Sequence, residues 1–357
     1  MIFSSIITKT LFVCGLCMQM VAGFNDSQCN LSPGVAKNRA FLRTRDYPET
    51  NGVLRIMQYN VEWLFTNVYN GCPGTSCTWA TEDEAFKHLG VVMDRINDVQ
   101  PSIVHFCEIE GCDEMDYLRA GIDGAEYNPY LIFGKDTSTG QNVGVLSRVV
   151  PLMPLNRTDE HVEYPIAGSK CGYVGSGGSE GVSKNLYTRF QYGGTTITYI
   201  GAHLLANPTD PVRCAEREAQ AQVLQNLVVE LRAKYPDDEM ILLGDFNDYD
   251  ADIMDANNHI PVSQVLHILK GVMGEHKGAY KLYSVADLVD RSERYTDWWD
   301  ANGDCFITED EYSMIDHVLV SRGLYDKIVG VEYYHKYEEY CGKYDSDHWP
   351  IVVDFGF

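Results

Sequence analysis

The sequence predicts an α/β fold in which two mixed β-sheets pack face to face and helices cover their outer sides. Three observations lead to this prediction. Short apolar, β-branched runs recur along the chain, two longer segments show helical spacing, and several strand-like runs follow one another without a helix between them. The last observation favours mixed sheets over a purely parallel one. No linker divides the core, so we expect one domain over residues 51–357.

Eight runs are predicted to be strands, because each is short, apolar and rich in β-branched or aromatic residues. They are Val53–Tyr59, Ser102–Cys107, Asn142–Ser147, Leu186–Tyr192, Thr195–Ala202, Met240–Gly244, Met314–Val320 and Ile351–Phe355. Two segments, Glu82–Val99 and Val212–Lys234, carry apolar residues on one helical face. Pro101 and Pro236 follow them as stop signals, so both segments are predicted to be helices.

The first residues are predicted to be a targeting signal rather than part of the fold. Residues 1–23 contain one positive charge, Lys9, then the apolar run Leu11–Met18 and the small residues Ala22 and Gly23. This pattern is typical of a secretory signal peptide. We therefore expect a secreted, extracellular protein in which residues 24–50 form an irregular lead-in to the domain. Sequons at Asn25, Asn30 and Asn156 add the expectation of a glycoprotein.

Cysteine usage agrees with an oxidising compartment. Of the 11 cysteines, those beyond residue 23 are Cys29, Cys72, Cys77, Cys107, Cys112, Cys171, Cys214, Cys305 and Cys341. Most should form disulfides in an exported protein. Close spacing suggests Cys72–Cys77 and Cys107–Cys112, with Cys171–Cys214 and Cys305–Cys341 as weaker predictions. Cys29 is the candidate for the unpaired thiol.

Charge and composition exclude several classes of protein. The chain has 357 residues with 28 Lys+Arg and 51 Asp+Glu, a formal net charge of −23. This balance excludes a basic protein that coats nucleic acid. Hydrophobic residues make up 45%, which excludes disorder for the bulk of the chain. No internal run approaches roughly 18 apolar residues, so we expect no transmembrane segment. A monomer is the default expectation.

Polar residues at the ends of six predicted strands indicate the candidate site. Carboxylates, amides and imidazoles follow or precede these strands at Asn60, Glu62, Glu108, His203, Asp245, Asn247, Asp316, Asp347 and His348. Ligand sites form where loops from a rigid scaffold converge. Oxygen ligands without cysteine suit Mg²⁺, Mn²⁺ or Ca²⁺ rather than zinc. A histidine paired with an aspartate can deprotonate water, so the set predicts metal-assisted hydrolysis of a phosphate ester.

The ordered motifs resemble the endonuclease/exonuclease/phosphatase (deoxyribonuclease-I-like) superfamily, over about residues 53–357. They are Asn60-Val-Glu62, Glu108, Gly144-Val-Leu-Ser-Arg148, His203-Leu204, Gly244-Asp-Phe-Asn247, Ile315-Asp-His317 and Ser346-Asp-His348. The resemblance implies a four-layered α/β sandwich of two mixed sheets flanked by helices. It also implies a divalent metal, Mg²⁺ or Mn²⁺, as cofactor.

Roles carried over from this resemblance divide into metal binding and catalysis. The metal ligands would be Glu108, chiefly, then Asn60, Glu62 and Asp347. Glu62 stands where some nucleases carry Asp, which leaves direct contact with the ion open.

The catalytic roles would fall to five residues. His348 would be the general base or a phosphate ligand, and Asp316 would hold its tautomer. Asp245 would align or deprotonate the attacking water. Asn247 would contact the phosphate, and His203 would act on the leaving group. Which histidine is acid and which is base stays open, and Arg148 is a further candidate phosphate contact.

A second motif, at residues 300–311, resembles an EF-hand calcium loop. Its candidate ligands, at loop positions 1, 3, 5, 7 and 12, are Asp300, Asn302, Asp304, the Phe306 carbonyl and Glu311. Cys305 stands where the glycine of such loops normally makes the sharp turn. A solvated acidic loop is the alternative, and Ca²⁺ is a possible second cofactor.

Several functions fit the candidate site. The first is a secreted nuclease that hydrolyses DNA or RNA. The second is a sphingomyelinase-like phospholipid phosphodiesterase acting on a lipid head group. It would need a membrane-seeking hairpin, for which Trp298-Trp299 is the nearest candidate, although we expect these residues to pack in the core or against the acidic loop. A phosphatase of the same fold is third, and a binding protein without activity is the alternative from another class.

Overall fold

The computed structural model describes residues 52–67, 77–79, 81–122, 127–337 and 343–357. The predicted signal peptide, the lead-in over residues 24–50 and the sequons at Asn25 and Asn30 lie outside the described residues. So do Cys29, Cys72 and Cys341, and the predictions that involve them stay predictions.

The first sheet has six strands in the order β14-β15-β1-β2-β4-β3. Their bounds are β1 Val53–Leu64, β2 Ile103–Ile109, β3 Asn128–Leu131, β4 Asn142–Ser147, β14 Ile328–Tyr333 and β15 Ile351–Gly356. Strands β1 and β2 run parallel, whereas β1 and β15 are antiparallel. The sheet is therefore mixed, as the sequence predicts.

The second sheet has five strands in the order β10-β13-β9-β8-β7. They are β7 Lys184–Tyr192, β8 Thr195–His203, β9 Glu239–Asp245, β10 Tyr283–Ser284 and β13 Asp316–Val320. Strands β8 and β9 are parallel and their outer neighbours are antiparallel, so this sheet is mixed too. Two small sheets pair β5 His161–Tyr164 with β6 Gly178–Gly181, and β11 Asp297–Trp298 with β12 Tyr312–Ser313.

The described part of the chain has five α-helices, of which the first four cover the outer sides of the sheets and the last packs against the cluster between them. They are α1 Glu82–Val99, α2 Cys112–Gly121, α3 Pro211–Lys234, α4 Val265–Leu269 and α5 Arg322–Tyr325. Residue Thr81 caps α1 through a capping box with Glu84, and Asp210 caps α3 ahead of Pro211 at its first turn. In the ranges the structure describes, no helix has both the length and the apolar character needed to cross a bilayer.

Three hydrophobic clusters separate the four layers. One lies between the sheets and joins residues such as Ile56 and Phe190 from opposite sides. A second packs α1 and α2 on the first sheet, and a third packs α3 and α4 on the second sheet. The predicted four-layered α/β sandwich is therefore confirmed.

The elements follow the sequence pattern where apolar runs are long. Each predicted strand and both predicted helices are present, with Asn142–Ser147 and Glu82–Val99 matching at both ends. The predicted strand Met314–Val320 instead begins at Asp316, because the backbone nitrogens of Met314 and Ile315 donate to the side chains of Asp255 and Thr296. The sequence does not predict α2 and β14, because both are half-exposed and carry only weak apolar patterns.

The cysteines confirm one predicted disulfide and contradict another. Cys171 and Cys214 are bonded, with their Cα atoms 5.6 Å apart. The predicted Cys107–Cys112 bond is wrong, because Cys107 is a free thiol buried between the sheets. Cys112 instead begins α2 on the outer side of the sheet, and it is disulfide-bonded, as are Cys77 and Cys305.

Candidate active site

Both sheets contribute side chains to one polar cluster at the edge where the strands β1, β2, β8 and β9 end. Asn60 and Glu108 come from the first sheet, and His203 and Asp245 from the second. Asp316 begins β13, directly opposite Asp245, while Asp347 and His348 lie just before β15. The structure thus brings together residues that are far apart in sequence, as the motifs predict.

Local departures from regular strand geometry aim two of these carboxylates. The β1–β2 register shifts between Asn60 and Leu64, and the β2–β4 register shifts between Phe106 and Ile109. Glu62 and Glu108 have positive φ values of 44° and 67°. Bulges and left-handed residues re-aim side chains near functional sites and carry a backbone cost. The left-handed conformation at Glu108 directs its side chain towards Asn60, out of the regular alternation of side chains along β2.

Asn60 links the cluster across the two sheets. Its amide Nδ2 lies 2.9 Å from Asp245 Oδ2 and 3.3 Å from Glu108 Oε1. The same nitrogen lies 3.4 Å from His348 Nε2. Glu108 also accepts a hydrogen bond of 3.0 Å from the backbone nitrogen of Trp63.

Glu62 contacts the segment that carries Asp347. Its Oε2 accepts a 3.0 Å hydrogen bond from the backbone nitrogen of Asp347. The longer side chain at position 62 therefore holds the Asp347–His348 segment against β1. Direct binding of an ion by Glu62 stays a prediction.

His348 and Asp316 form a buried dyad. His348 Nδ1 lies 2.7 Å from Asp316 Oδ2, and Asp316 Oδ1 accepts a 3.0 Å hydrogen bond from Gln58 Nε2. Burial disfavours the imidazolium, but the neighbouring carboxylates of Asp316, Asp347 and Asp297 outweigh it and raise the pKa of His348 well above its usual value. Nδ1 is thus anchored and Nε2 faces the cluster.

Two residues of this cluster were missed by the sequence analysis. Asp297 Oδ1 lies 3.4 Å from His348 Nε2, and Asp297 Oδ2 accepts a 2.8 Å hydrogen bond from Ser313. No sequence signal marks Asp297, since its strand has only two residues and forms through distant pairing. Gln58 is recognisable from the sequence, because it is an amide within an apolar strand. In the structure it is buried on the face that points between the sheets.

His203 and Asp245 form the side of the cluster nearer the second sheet. His203 Nε2 lies 3.5 Å from Asp245 Oδ2 and 3.9 Å from Glu108 Oε1. Burial is the main reason why the pKa of His203 is lowered well below its usual value, and why that of Asp245 is raised well above. Position 244 requires glycine, because a Cβ there would lie 1.7 Å from the Ala202 oxygen.

Asn247 orients Asp245 through the backbone. Its backbone nitrogen donates a 2.9 Å hydrogen bond to Asp245 Oδ1. Its side-chain Nδ2 donates to the Leu204 oxygen at 3.2 Å, so the amide ties the turn after β9 to the turn after β8. A phosphate contact by Asn247 stays a prediction.

The donor set fits a divalent cation. Three carboxylates, Glu108, Asp245 and Asp347, lie around Asn60 and His348, and cysteine is absent from this set. Asp347 Oδ1 is buried and has no hydrogen-bond partner among the described residues. Burial and the nearby Glu62 raise the pKa of Asp347 well above its usual value. Such crowding of carboxylates is what a hard cation with oxygen ligands would relieve.

Arg148 is not brought to this cluster. Its backbone nitrogen donates to the Ser102 oxygen at 2.9 Å, which places it at the opposite end of β2 from Glu108. Its guanidinium bonds Gln100 and lies 4.5 Å from the centre of the Tyr127 ring. Because β2 runs from one edge of the sheet to the other, Arg148 and the cluster lie at opposite edges. The prediction that Arg148 contacts a phosphate at this site is therefore wrong.

The acidic loop 300–311 folds around its own carboxylates. Asp300 Oδ1 accepts hydrogen bonds from the backbone nitrogens of Gly303, at 2.7 Å, and Asp304, at 3.2 Å. Cys305 adopts φ +62°, the left-handed conformation that the expected glycine would take. Glu311 accepts from the Ala301 nitrogen at 3.2 Å. Calcium binding by this loop stays a prediction.

The two tryptophans that precede this loop differ in environment. Trp298 is 5% exposed and packs in the cluster beneath α1 and α2, as expected. Trp299 is 72% exposed, so the expectation that it packs in the core or against the acidic loop is wrong.

Comparisons with known proteins agree with this geometry. The model of the Endonuclease/Exonuclease/phosphatase family matches residues 57–348. A search of curated proteins finds no significant match.

Several solved structures are similar in fold. The 3′ phosphatase NExo from Neisseria, bound to a product DNA hairpin, is 16% identical with a TM-score of 0.55, covering 85% of this chain and 100% of that chain. A family protein from Leptotrichia buccalis is 14% identical with a TM-score of 0.51, covering 85% and 100%. TDP2 of D. rerio, complexed with a single-strand DNA product, is 16% identical with a TM-score of 0.51, covering 85% and 99%.

Proposed function

Because the chain belongs to the endonuclease/exonuclease/phosphatase family, we propose that it is a secreted, divalent-metal-dependent nuclease that hydrolyses phosphodiester bonds of DNA or RNA. Members of this family are phosphoric ester hydrolases, and many depend on a divalent metal. The observation that carries the proposal is the Asp316–His348 dyad, whose Nε2 lies 3.4 Å from Asn60 Nδ2, 3.4 Å from Asp297 Oδ1 and 3.8 Å from Asp347 Oδ1.

The dyad activates the attacking water. Asp316 accepts the Nδ1 proton of His348. A cation bound among the carboxylates that raise the pKa of His348 would offset their charge and leave Nε2 as a proton acceptor facing the cluster. Nε2 takes a proton from the water as it attacks phosphorus, and Asp316 stabilises the imidazolium that forms. Asp245, held by Asn60 and by the Asn247 backbone, orients this water.

The opposite side of the cluster serves the phosphate and the leaving oxygen. Glu108, Asn60 and Asp347 would hold Mg²⁺ or Mn²⁺, with Glu62 supporting the Asp347 segment. When bound, the ion would polarise a phosphoryl oxygen and offset its developing negative charge. As the bond between phosphorus and the leaving oxygen breaks, neutral His203, buried next to Asp245, donates a hydrogen bond to that oxygen, which takes up a proton from solvent.

Further observations support the parts of the proposal that concern secretion and the class of substrate. The signal-like residues 1–23 and the Cys171–Cys214 disulfide support secretion. The DNA bound to two similar structures supports a nucleic-acid substrate. With a net charge of −23, the chain would engage few phosphates at a time. A sphingomyelinase-like activity is the second candidate, favoured by the exposed Trp299, which directly follows the strand that carries Asp297.

The test is a cleavage assay on the protein recovered from the medium of expressing cells. It offers plasmid DNA, RNA and sphingomyelin in parallel, with Mg²⁺ or Mn²⁺ and with EDTA, and compares wild type with His348→Ala. The matched control is His161→Ala, an exposed histidine on β5. We expect nucleic-acid cleavage that EDTA and His348→Ala abolish and that His161→Ala preserves.

Two results would contradict the proposal. Cleavage of sphingomyelin alone would assign the protein to the lipid branch of the fold. Cleavage that survives both EDTA and His348→Ala would separate the activity from this site.

A further inference from the structure

An exposed tryptophan directly follows the short strand β11, which carries Asp297. Trp299 is 72% exposed, although tryptophan usually buries most of its large apolar surface. Its neighbour Trp298 is anchored, with its ring buried and its Nε1 donating to Glu311 at 3.2 Å. The segment is therefore held in place while one aromatic ring stays in solvent.

The pairing of β11 fixes where this ring lies. Asp297 forms an antiparallel bridge with His348, and the Trp298 nitrogen donates to the Asp347 oxygen at 3.0 Å. Alternate residues of an extended segment point to the same side, so Trp299 shares the side on which Asp297 faces His348. Diagonal neighbours across such a pair lie about 7–8 Å apart, within reach of aromatic side chains. If the extended path of β11 continues through Trp299, its side chain lies on the same side as Asp297, diagonal to His348.

The backbone of Trp299 is itself restrained. Its nitrogen donates to the Glu311 oxygen at 3.3 Å, next to the pair formed by Trp298 and Tyr312. Among the described residues, no aromatic stacking partner is found for its indole. A planar group of a substrate that extends from the site on this side would contact the face of the Trp299 indole.

We propose that Trp299 stacks on the nucleobase adjoining the scissile phosphate, and that the enzyme consequently acts on single-stranded or unpaired nucleic acid. This inference rests on the proposed nuclease function. A base inside a duplex is already stacked and cannot offer its face to a side chain, whereas an unpaired base can. Stacking also supplies affinity that does not depend on phosphate contacts. Such affinity suits a chain with a net charge of −23, in which Asp300 and Asp304 follow Trp299 closely in the sequence and would repel phosphates.

The experiment measures kcat/KM on a short single-stranded oligonucleotide in which one phosphodiester is cleavable. Two analogues lack the base on the 5′ or the 3′ side of that bond. The variants are Trp299→Ala and Trp299→Phe. Val329→Ala removes an exposed apolar side chain near the far end of β15 from His348 and serves as the matched control.

We expect Trp299→Ala to lower kcat/KM on the complete oligonucleotide by about 5- to 150-fold, the range of one base–aromatic stack. Trp299→Phe should retain most of the activity, and Val329→Ala all of it. Removing the stacked base should cost the wild type a similar factor and cost Trp299→Ala nothing more. Melting temperatures should stay unchanged, since the side chain is exposed.

Several results would overturn the proposal while the nuclease function stands. They are an unchanged kcat/KM for Trp299→Ala, an equal loss on all three oligonucleotides, or a preference for fully paired duplex. Loss of binding to sphingomyelin vesicles without any effect on the oligonucleotides would assign the ring to a lipid surface. If the wild type shows no EDTA-sensitive cleavage of any oligonucleotide, the proposed function itself fails, and the stacking proposal with it.

Discussion

Arg217 and Asp248 form a fully buried ion pair, with Arg217 Nε 3.1 Å from Asp248 Oδ2. The remaining guanidinium protons bind consecutive backbone oxygens, those of Leu205, Ala206, Asn207 and Pro208. One side chain on α3 thus holds the turn that follows His203 and the turn that carries Asn247. These two turns support the half of the candidate active site that comes from the second sheet.

Removing one partner of this pair should be costly. We expect Arg217→Met to lower the free energy of unfolding by about 3–5 kcal/mol, because it leaves Asp248 buried and unpaired. Adding Asp248→Leu should recover part of this loss. Urea unfolding monitored by fluorescence gives both values. The control, Arg322→Met, breaks the exposed pair with Asp326 and should cost at most about 1 kcal/mol. Equal losses in the two single variants would contradict this account.

The space beside Gly201 is filled by the imidazole of His105. A Cβ at position 201 would lie 2.0 Å from His105 Cε1, in the layer between the sheets. Gly201→Ala should therefore destabilise the protein by about 1–3 kcal/mol, typical of overpacking. The second substitution His105→Ala should relieve the clash. Gly90→Ala on α1 meets nothing within 4 Å and should instead stabilise by about 0.5–1 kcal/mol. Thermal unfolding of the variants separates these outcomes, and a neutral Gly201→Ala would show that His105 moves freely.

Buried His105 should make the fold sensitive to acid. Burial lowers its pKa to about 3, against an ordinary value near 6.5. Between these values the unfolded chain binds the proton and the folded chain does not, so stability is complete above about pH 6.5 and falls as the pH drops towards 3. His105→Leu should remove up to about 1.4 kcal/mol per pH unit from this slope. Urea unfolding from pH 7 to 4 measures it, with exposed His161→Leu as control. An unchanged slope in His105→Leu would contradict the prediction.

Metal binding should be visible without any substrate. Crowded carboxylates at Glu108, Asp245 and Asp347 repel one another, so Mg²⁺ or Mn²⁺ should raise the melting temperature of the wild type. At 100 times the dissociation constant the gain is about 2.7 kcal/mol. Glu108→Gln should abolish most of the shift, whereas Glu230→Gln on the exposed side of α3 should preserve it. A metal-induced shift that persists in Glu108→Gln would place the ion elsewhere.

Calcium binding by the acidic loop needs a separate test. If the loop holds Ca²⁺, a calcium titration should raise the melting temperature of the wild type and leave Glu311→Gln unaffected, since position 12 supplies the strongest ligand of such loops. Glu309→Gln, outside the predicted ligand set, is the matched control. A melting temperature that does not respond to calcium in any variant would favour a solvated loop whose carboxylates bond its own backbone.

The sequence predicts a strand or helix well where a local run of apolar residues marks it. Long apolar runs such as Asn142–Ser147 identify the strands, because a buried strand leaves few alternatives for its pattern. The half-exposed β14 gives only a weak pattern and was missed. The nine predicted residues other than Arg148 come together because each ends or precedes a strand at one edge of the two sheets. The positions of Asp297 and Trp299 depend on the pairing of the two-residue strand β11 with the segment at His348. No local sequence pattern predicts this pairing.

The candidate active site lies across the boundary between the two sheets, since Asn60 and Glu108 belong to one sheet while Asp245 and Asp316 belong to the other. Neither sheet alone holds the proposed water-activating pair together with the proposed metal ligands. During refolding, backbone structure in each sheet can therefore return before any turnover does. Catalysis would reappear only when the sheets dock in register, which makes activity a kinetic marker for the last step of assembly.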